Sequence, residues 1–149
     1  MVRMGGCLCE QVRFRITQAP LMTLACHCRG CQKLTSSAFS LTVIVPGDGF
    51  EVTLGEPVIG GLHGAHRQYY CPNCMSWLFT RPPEDVVASI GVRTSLLDDP
   101  SGLEPFIETM TVEKVPWART PATISFDRFP ARPEWVALMQ RYRERTAAR

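Results

Sequence analysis

Apolar and polar residues alternate along much of the chain with the two-residue period of strands. Val12, Phe14 and Ile16 alternate with Gln11, Arg13 and Arg15, and Phe50, Val52 and Leu54 alternate with Glu51 and Thr53. Each run reads as a half-buried strand. Leu21 to Ala25 and Phe39 to Val45 are short β-rich runs, the second closed by the turn residues Pro46-Gly47-Asp48-Gly49. Gln68-Tyr69-Tyr70 and Trp77-Leu78-Phe79 flank Cys71-Pro72-Asn73-Cys74 as two strands of a hairpin, and Arg81-Pro82-Pro83 stops the second. Val86 to Val92 and Phe106 to Val112 are expected as further strands, with the turn Asp98-Asp99-Pro100-Ser101-Gly102 between them. Lys33 to Ala38, small and polar, reads as a loop. Only the end of the chain has a helical period. There Trp135, Leu138, Met139 and Tyr142 fall on one stripe, Pro133 suits the first helical position, and Glu134 suits the helix dipole. Arg141, Arg143, Arg145 and Arg149 read as a solvated last turn and tail. The pattern predicts one mainly β domain over residues 1–149 with a C-terminal helix at about 133–147.

Composition narrows the class. The 149 residues are 45% hydrophobic and 20% charged, ordinary values for a soluble globular chain able to bury a core. Twelve prolines and eleven glycines fit short strands joined by many turns. The net charge of +2 comes from dispersed basic residues, which argues against a nucleic-acid surface. No apolar run is long enough to span a membrane. The first residues show no signal-peptide apolar region, so a cytoplasmic location is expected, where thiols stay reduced.

The seven cysteines change the picture most. They fall as Cys7-Leu8-Cys9, Cys26-His27-Cys28-Arg29-Gly30-Cys31 and Cys71-Pro72-Asn73-Cys74, and none stands alone. Thiolates are soft ligands that suit zinc, and short tight turns bring them around one ion. One C-x-C plus one C-x2-C supplies four sulfurs, Cys7, Cys9, Cys71 and Cys74. Cys26, Cys28 and Cys31 then form a three-ligand group, the form of an open zinc with its fourth position free. Two zinc ions per chain are expected, the three-ligand one held less tightly. The odd count and short spacings disfavour disulfides, while a redox pair at Cys71 and Cys74 stays open. Joining Cys9 to Cys71 closes most of the N-terminal half of the chain, and a four-sulfur zinc contributes on the order of 10 kcal/mol to folding in small zinc domains.

At these residues the sequence resembles the family of glutathione-dependent formaldehyde-activating enzymes, which also includes centromere protein V. The resemblance rests on Gly6-Cys7-Leu8-Cys9 with Val12-Arg13-Phe14, on Cys26 to Lys33, on Tyr70 to Cys74, and on Val112-Glu113-Lys114-Val115-Pro116-Trp117. It implies a Mss4-like β-tent of short antiparallel strands with zinc knuckles. It also implies a structural zinc on Cys7, Cys9, Cys71 and Cys74, and a catalytic one on Cys26, Cys28 and Cys31. The implied activity is that of a carbon–sulfur lyase joining glutathione and formaldehyde as S-hydroxymethylglutathione. The chain departs from the family at Glu10, Met75 and Ser36, where glycine is usual, and near Glu108-Thr109-Met110, where a histidine and an aromatic residue are common.

Several residues have two readings. The expected partner is a small thiol or thiol–aldehyde adduct, glutathione among them, with no nucleic acid and no membrane. An open zinc could bind the substrate thiol as thiolate or polarise an aldehyde oxygen; the thiol mode suits a charge-rich thiolate site better. His27, between two ligands, points away from the metal in an extended backbone. His63 and His66 read as surface-loop histidines or as proton shuttles. Lys33 could attract a carboxylate, or be merely solvated. Trp117 and Phe39 are expected in the core. The alternative to an enzyme is a non-enzymatic zinc module for interaction or redox sensing.

Overall fold

The structure, a computed structural model, describes residues 2–83 and 88–148. The described residues hold eleven strands and two α-helices. In chain order these are β1 (Arg3–Gly6), β2 (Arg13–Ile16), β3 (Met22–Cys26), α1 (Arg29–Thr35), β4 (Ser40–Pro46), β5 (Phe50–Leu54) and β6 (Val58–Gly60). There follow β7 (Arg67–Tyr70), β8 (Trp77–Arg81), β9 (Ser89–Arg93), β10 (Ile107–Thr109), β11 (Ile124–Ser125) and α2 (Arg132–Ala147). The protein is mainly β with a C-terminal helix, as its hydrophobic period predicts. The chain forms two compact units. One takes the residues up to Pro20 together with Ile44–Gly102, the other Leu21–Val43 and the residues from Leu103 onward.

In the first unit β1, β2 and β5 form an antiparallel sheet with Phe14 opposite both Gly5 and Val52. The alternation of β2 is realised: Phe14 and Ile16 are fully buried while Arg15 is exposed and pairs with Glu51. Phe14, Phe50 and Phe79 form a chain of tilted rings at 5.5 and 4.8 Å, a favourable aromatic geometry at the centre of this unit's core. Strands β6 to β9 run as an antiparallel meander, and the β7–β8 hairpin carries the Cys71–Cys74 turn. The strand expected at Val86 to Val92 is β9; Val86 and Val87 lie outside the described residues.

In the second unit β3 is buried along its whole length. It pairs with β10 in parallel, Thr109 opposite Cys26, and β10 pairs in parallel with β11. This parallel trio is invisible to a pattern read one strand at a time. The stripe of α2 buries Leu138 and Tyr142, and the Tyr142 ring meets Phe106 at 5.6 Å. The Glu134 carboxylate accepts the Ala131 backbone N–H at 2.6 Å, satisfying a helix-start donor. Arg145 lies over the Phe106 ring at 5.5 Å and is not merely solvated.

Three expectations need correction. Lys33 to Thr35 belong to α1, not a loop. Seven residues are too few for a readable period, and the turn is started by the Cys28 sulfur accepting the Cys31 backbone N–H. The strand from Phe106 ends at Thr109, because Met110 has φ 58° and turns the chain into a 3-10 turn at Thr111–Glu113. Trp117 is not in the core; it is 73% exposed.

Gly5 shows how tightly the first sheet is closed. A Cβ there would lie 2.6 Å from both the Leu96 carbonyl oxygen and the Phe14 ring. Gly5→Ala is therefore expected to destabilise the protein by about 1–3 kcal/mol, the usual cost of overpacking. Denaturant unfolding measures it, and an unchanged midpoint contradicts this packing.

Candidate metal centre

The four-sulfur group lies within the first unit. Gly6 leads into a tight turn in which Cys7 N–H donates to the Val12 carbonyl at 3.0 Å and Glu10 N–H to the Cys7 carbonyl at 3.0 Å. The hairpin turn is closed in the same way, Met75 N–H donating to the Cys71 carbonyl at 3.1 Å. These two turns bring the sulfurs of Cys7, Cys9, Cys71 and Cys74 within 4.8 Å of one another. Cys7 and Cys9 sulfurs are 3.5 Å apart, Cys9 and Cys71 sulfurs 3.7 Å. Four sulfurs at the usual zinc–sulfur distance of about 2.3 Å would be about 3.8 Å apart, so the group fits a tetrahedral zinc. All seven cysteines are free thiols.

Electrostatics point the same way. Backbone N–H groups of Val12 and Cys74 aim at the sulfurs of Cys7 and Cys71 at 3.3 and 3.5 Å, as they do toward thiolates. The Asn73 side chain holds Cys9 below the ordinary thiol range. Burial opposes ionisation of Cys74, but hydrogen bonds from the Ser76 side chain and backbone outweigh it and lower the thiol to about 5. Burial raises Cys71 to about 11. Without a cation only some of the four can ionise; a divalent metal removes that conflict.

The three-sulfur group lies within the second unit. Cys26 ends β3, Cys28 caps α1, and Cys31 sits in its first turn, with the three sulfurs within 4.8 Å of each other. Hydrogen bonds from the Cys26 and Cys31 thiols push Cys28 down to about 2. The bond to Cys28 in turn raises Cys26, and the bonds to Cys26 and Cys28 raise Cys31. No histidine or carboxylate completes the group among the described residues. Both clusters could hold metal ions, and their all-thiolate donors are consistent with zinc.

His27, between two of these cysteines, is fully buried and looks elsewhere. Its Nε2 lies 3.0 Å from the Glu108 carboxylate. Glu108 is the centre of a polar cluster that no local motif announces. It accepts from Lys114 Nζ at 3.0 and 2.8 Å, from Thr120 at 2.9 Å and from Ser125 at 2.7 Å. Desolvation alone would raise this carboxyl; the donors, Lys114 foremost, override it and hold it at about 2. The backbone around His27 is pinned as well. Its N–H donates to the Thr109 carbonyl at 3.0 Å, and its own carbonyl accepts from Gln32 Nε2 at 2.6 Å. The one sequence signal was a carboxylate set inside a β-rich run.

Comparison with known proteins agrees with the cysteine pattern. The family profile of the glutathione-dependent formaldehyde-activating enzyme matches residues 2–113. The chain belongs to this family. A crystal structure of a Rhodobacter sphaeroides protein is similar in fold, with a TM-score of 0.50 and 16% identity, covering 64% of this chain and 87% of that one. A search of curated proteins found no match. The match to the formaldehyde-activating family spans all seven cysteines, His27 and Glu108, and stops before Lys114, Thr120 and Ser125.

The structure gives a physical meaning to the departures from the family's glycines. Glu10, Met75 and Ser36 have φ of 60°, 58° and 50°. Each occupies the left-handed region that glycine adopts freely and other residues only with strain. Two of the three close the turns of the four-sulfur group, directly after Cys9 and Cys74. His63 and His66 are exposed and belong to neither sulfur group; His63 is itself left-handed at φ 51°. Lys33 is exposed, and Phe39 is half-buried with its ring 5.3 Å edge-on to His27.

Two predictions follow from this geometry. Glu10→Gly and Met75→Gly should each stabilise the folded protein by up to about 1 kcal/mol, relief of strain exceeding glycine's entropy cost; thermal unfolding with metal bound measures it, and destabilisation contradicts it. Glu108→Gln should cost about 3–5 kcal/mol near neutral pH, because it leaves half-buried Lys114 and fully buried His27 without their anion. The folded carboxyl titrates near 2 and the unfolded one near 4.5, so its stabilisation is full above about pH 4.5 and fades as pH falls toward about 2. The gap between wild type and Glu108→Gln in urea unfolding should close over that window; a constant gap contradicts the assignment.

Proposed function

We propose that this protein is a zinc-dependent enzyme of the carbon–sulfur lyase type, acting on a small thiol–aldehyde adduct such as S-hydroxymethylglutathione. The observation that carries the reading is the pair of unequal sulfur groups: four gathered from two distant turns, three gathered locally with no fourth ligand among the described residues. Family membership supports a glutathione-related substrate. In this reading Cys7, Cys9, Cys71 and Cys74 hold a structural zinc, and Cys26, Cys28 and Cys31 hold the one at which substrate binds.

Bound there, zinc supplies a position that a substrate thiolate can occupy. The chain's own residues prepare the place. The Glu108–His27 contact, the Thr109 carbonyl and Gln32 hold the Cys26-His27-Cys28 loop on three sides, so the donors are fixed before any ligand arrives. The reaction is a balanced addition. The thiol sulfur bonds to the aldehyde carbon, the carbonyl oxygen gains a proton, the thiol loses one, and no oxidant is required. The reverse breaks the same carbon–sulfur bond. A reduced cytoplasmic setting fits seven free thiols. No helix among the described residues is long and apolar enough to cross a membrane.

A second reading has one observation in its favour. Leu8 and Met75, 84% and 61% exposed, present apolar tips from the two turns of the four-sulfur group, which Leu8 N–H and Ser76 Oγ join at 3.2 Å. A zinc module that docks a partner would display such a pair. Exchange of labelled formaldehyde with glutathione, followed by NMR, separates the readings. The zinc-loaded protein should accelerate exchange, and Cys28→Ser should lose that acceleration by more than about ten-fold, roughly 1.4 kcal/mol of barrier. No acceleration with glutathione or other small thiols contradicts the enzyme reading and leaves the module.

A further inference from the structure

The second unit contains a cleft of about 380 Å³, lined by Arg29, Gln32, Lys33, Ser36, Ser37, Ala38, Val115 and Trp117. No cysteine lines it. At 3.6 residues per turn, Arg29, Gln32, Lys33 and Ser36 share one side of α1, while Cys31 projects from the other. Its volume falls within the range of small-molecule pockets.

The walls are chemically divided and locally fixed. Arg29 and Lys33 bring two cations, and no carboxylate pairs with either side chain among the described residues. Glu113 is near, but it accepts the backbone N–H of Arg29. The Arg29 guanidinium is oriented by Gln32 Oε1 at 2.9 Å. Gln32 is itself locked, its amide donating to the His27 and Glu113 carbonyls at 2.6 and 2.9 Å. Trp117 also lines the cleft. Its exposure is not looseness, because Ala118 beside it is buried and Arg119 clips the Pro116 and Ala118 carbonyls at 2.7 and 2.8 Å. A large ring is thus held out toward solvent by a rigid turn, with Val115 and Ala38 as further apolar wall.

Ser36 adds an independent observation. It caps α1 in the left-handed conformation at φ 50°, where glycine would be unstrained. What this chain gains for that strain is a side chain, with its hydroxyl, on the cleft wall. Strain kept beside a pocket is a ground for inferring a functional position.

We propose that this cleft is a binding site for a small organic anion with a planar apolar part. The anionic group is held by Arg29, Lys33 and the Ser36 hydroxyl, the planar part lies against Trp117, and the site is separate from the three-sulfur group. The two cations supply charge-assisted hydrogen bonds, and a guanidinium already oriented loses less freedom on binding.

Benzoate is a suitable probe, with benzamide as its neutral counterpart, titrated by calorimetry into the zinc-loaded protein. Benzoate should bind saturably to one site, and benzamide about ten-fold more weakly or worse. Trp117→Ala and the double variant Arg29→Gln/Lys33→Gln should each weaken benzoate by about ten-fold or more; all three residues are exposed, so the fold should survive. Ser36→Gly should move two readouts in opposite directions, raising the unfolding midpoint while weakening benzoate by about two- to ten-fold, one hydrogen bond's worth. Cys28→Ser, whose hydroxyl can still cap α1, should bind benzoate as wild type does. Non-saturable binding, equal binding of benzamide, or unchanged binding in Trp117→Ala, the double variant or Ser36→Gly overturns the proposal. Loss of benzoate binding in Cys28→Ser overturns the separateness of the site.

Discussion

Seven thiols gathered into two groups set the main electrostatic constraint on this molecule. Within each group the sulfurs are closer than ionised thiolates tolerate, so without a cation each ionisation opposes the next. In the three-sulfur group the opposed shifts record that conflict, Cys28 being driven down while Cys26 and Cys31 are driven up. In the four-sulfur group burial raises Cys71 while, against burial, Ser76 lowers Cys74. Much of the surrounding architecture consists of short turns and pinned loops that keep the sulfurs there despite the repulsion. The strained residues Glu10 and Met75 belong to that cost, being where the chain must reverse just after delivering its second sulfur.

The second unit answers the constraint with an opposite device. Glu108 gathers Lys114, His27, Thr120 and Ser125 about one buried carboxylate, and through His27 it holds the loop between the first two cysteines. A buried carboxylate is unfavourable unless nearly every lone pair is satisfied, and here the donors come from four separate points in the chain. Such a cluster is stiff once assembled. It holds in place the loop that carries Cys26 and Cys28, and it explains why His27 is buried beside the three-sulfur group without joining it.

What could be read from sequence was what is local. Cys7-x-Cys9 and Cys71-x2-Cys74 announce by spacing a group of sulfurs that could hold a metal, and the alternation of β2 announces which face is buried. The departures at Glu10, Met75 and Ser36 were visible as anomalies, but their sense appears only with the backbone angles. Glu108 could not be read, because its partners are distributed between residues 27 and 125 and meet only once β3, β10 and β11 pair in parallel. Helix α1 was too short to show a period, and a cysteine sulfur begins it. Trp117 looked like core by composition; its exposure depends on a turn that Arg119 fixes through backbone carbonyls, which no pattern of side chains encodes.

The most direct test of the account is the zinc content per chain of protein purified without chelator, for wild type, Cys28→Ser and Cys71→Ser, with circular dichroism recorded on each. Two independent sites with unequal roles predict about two zinc ions in wild type and about one in Cys28→Ser with the fold retained, and a damaged fold in Cys71→Ser. One zinc in both wild type and Cys28→Ser, or an intact fold in Cys71→Ser, would contradict the division of the seven cysteines into a structural and an open centre.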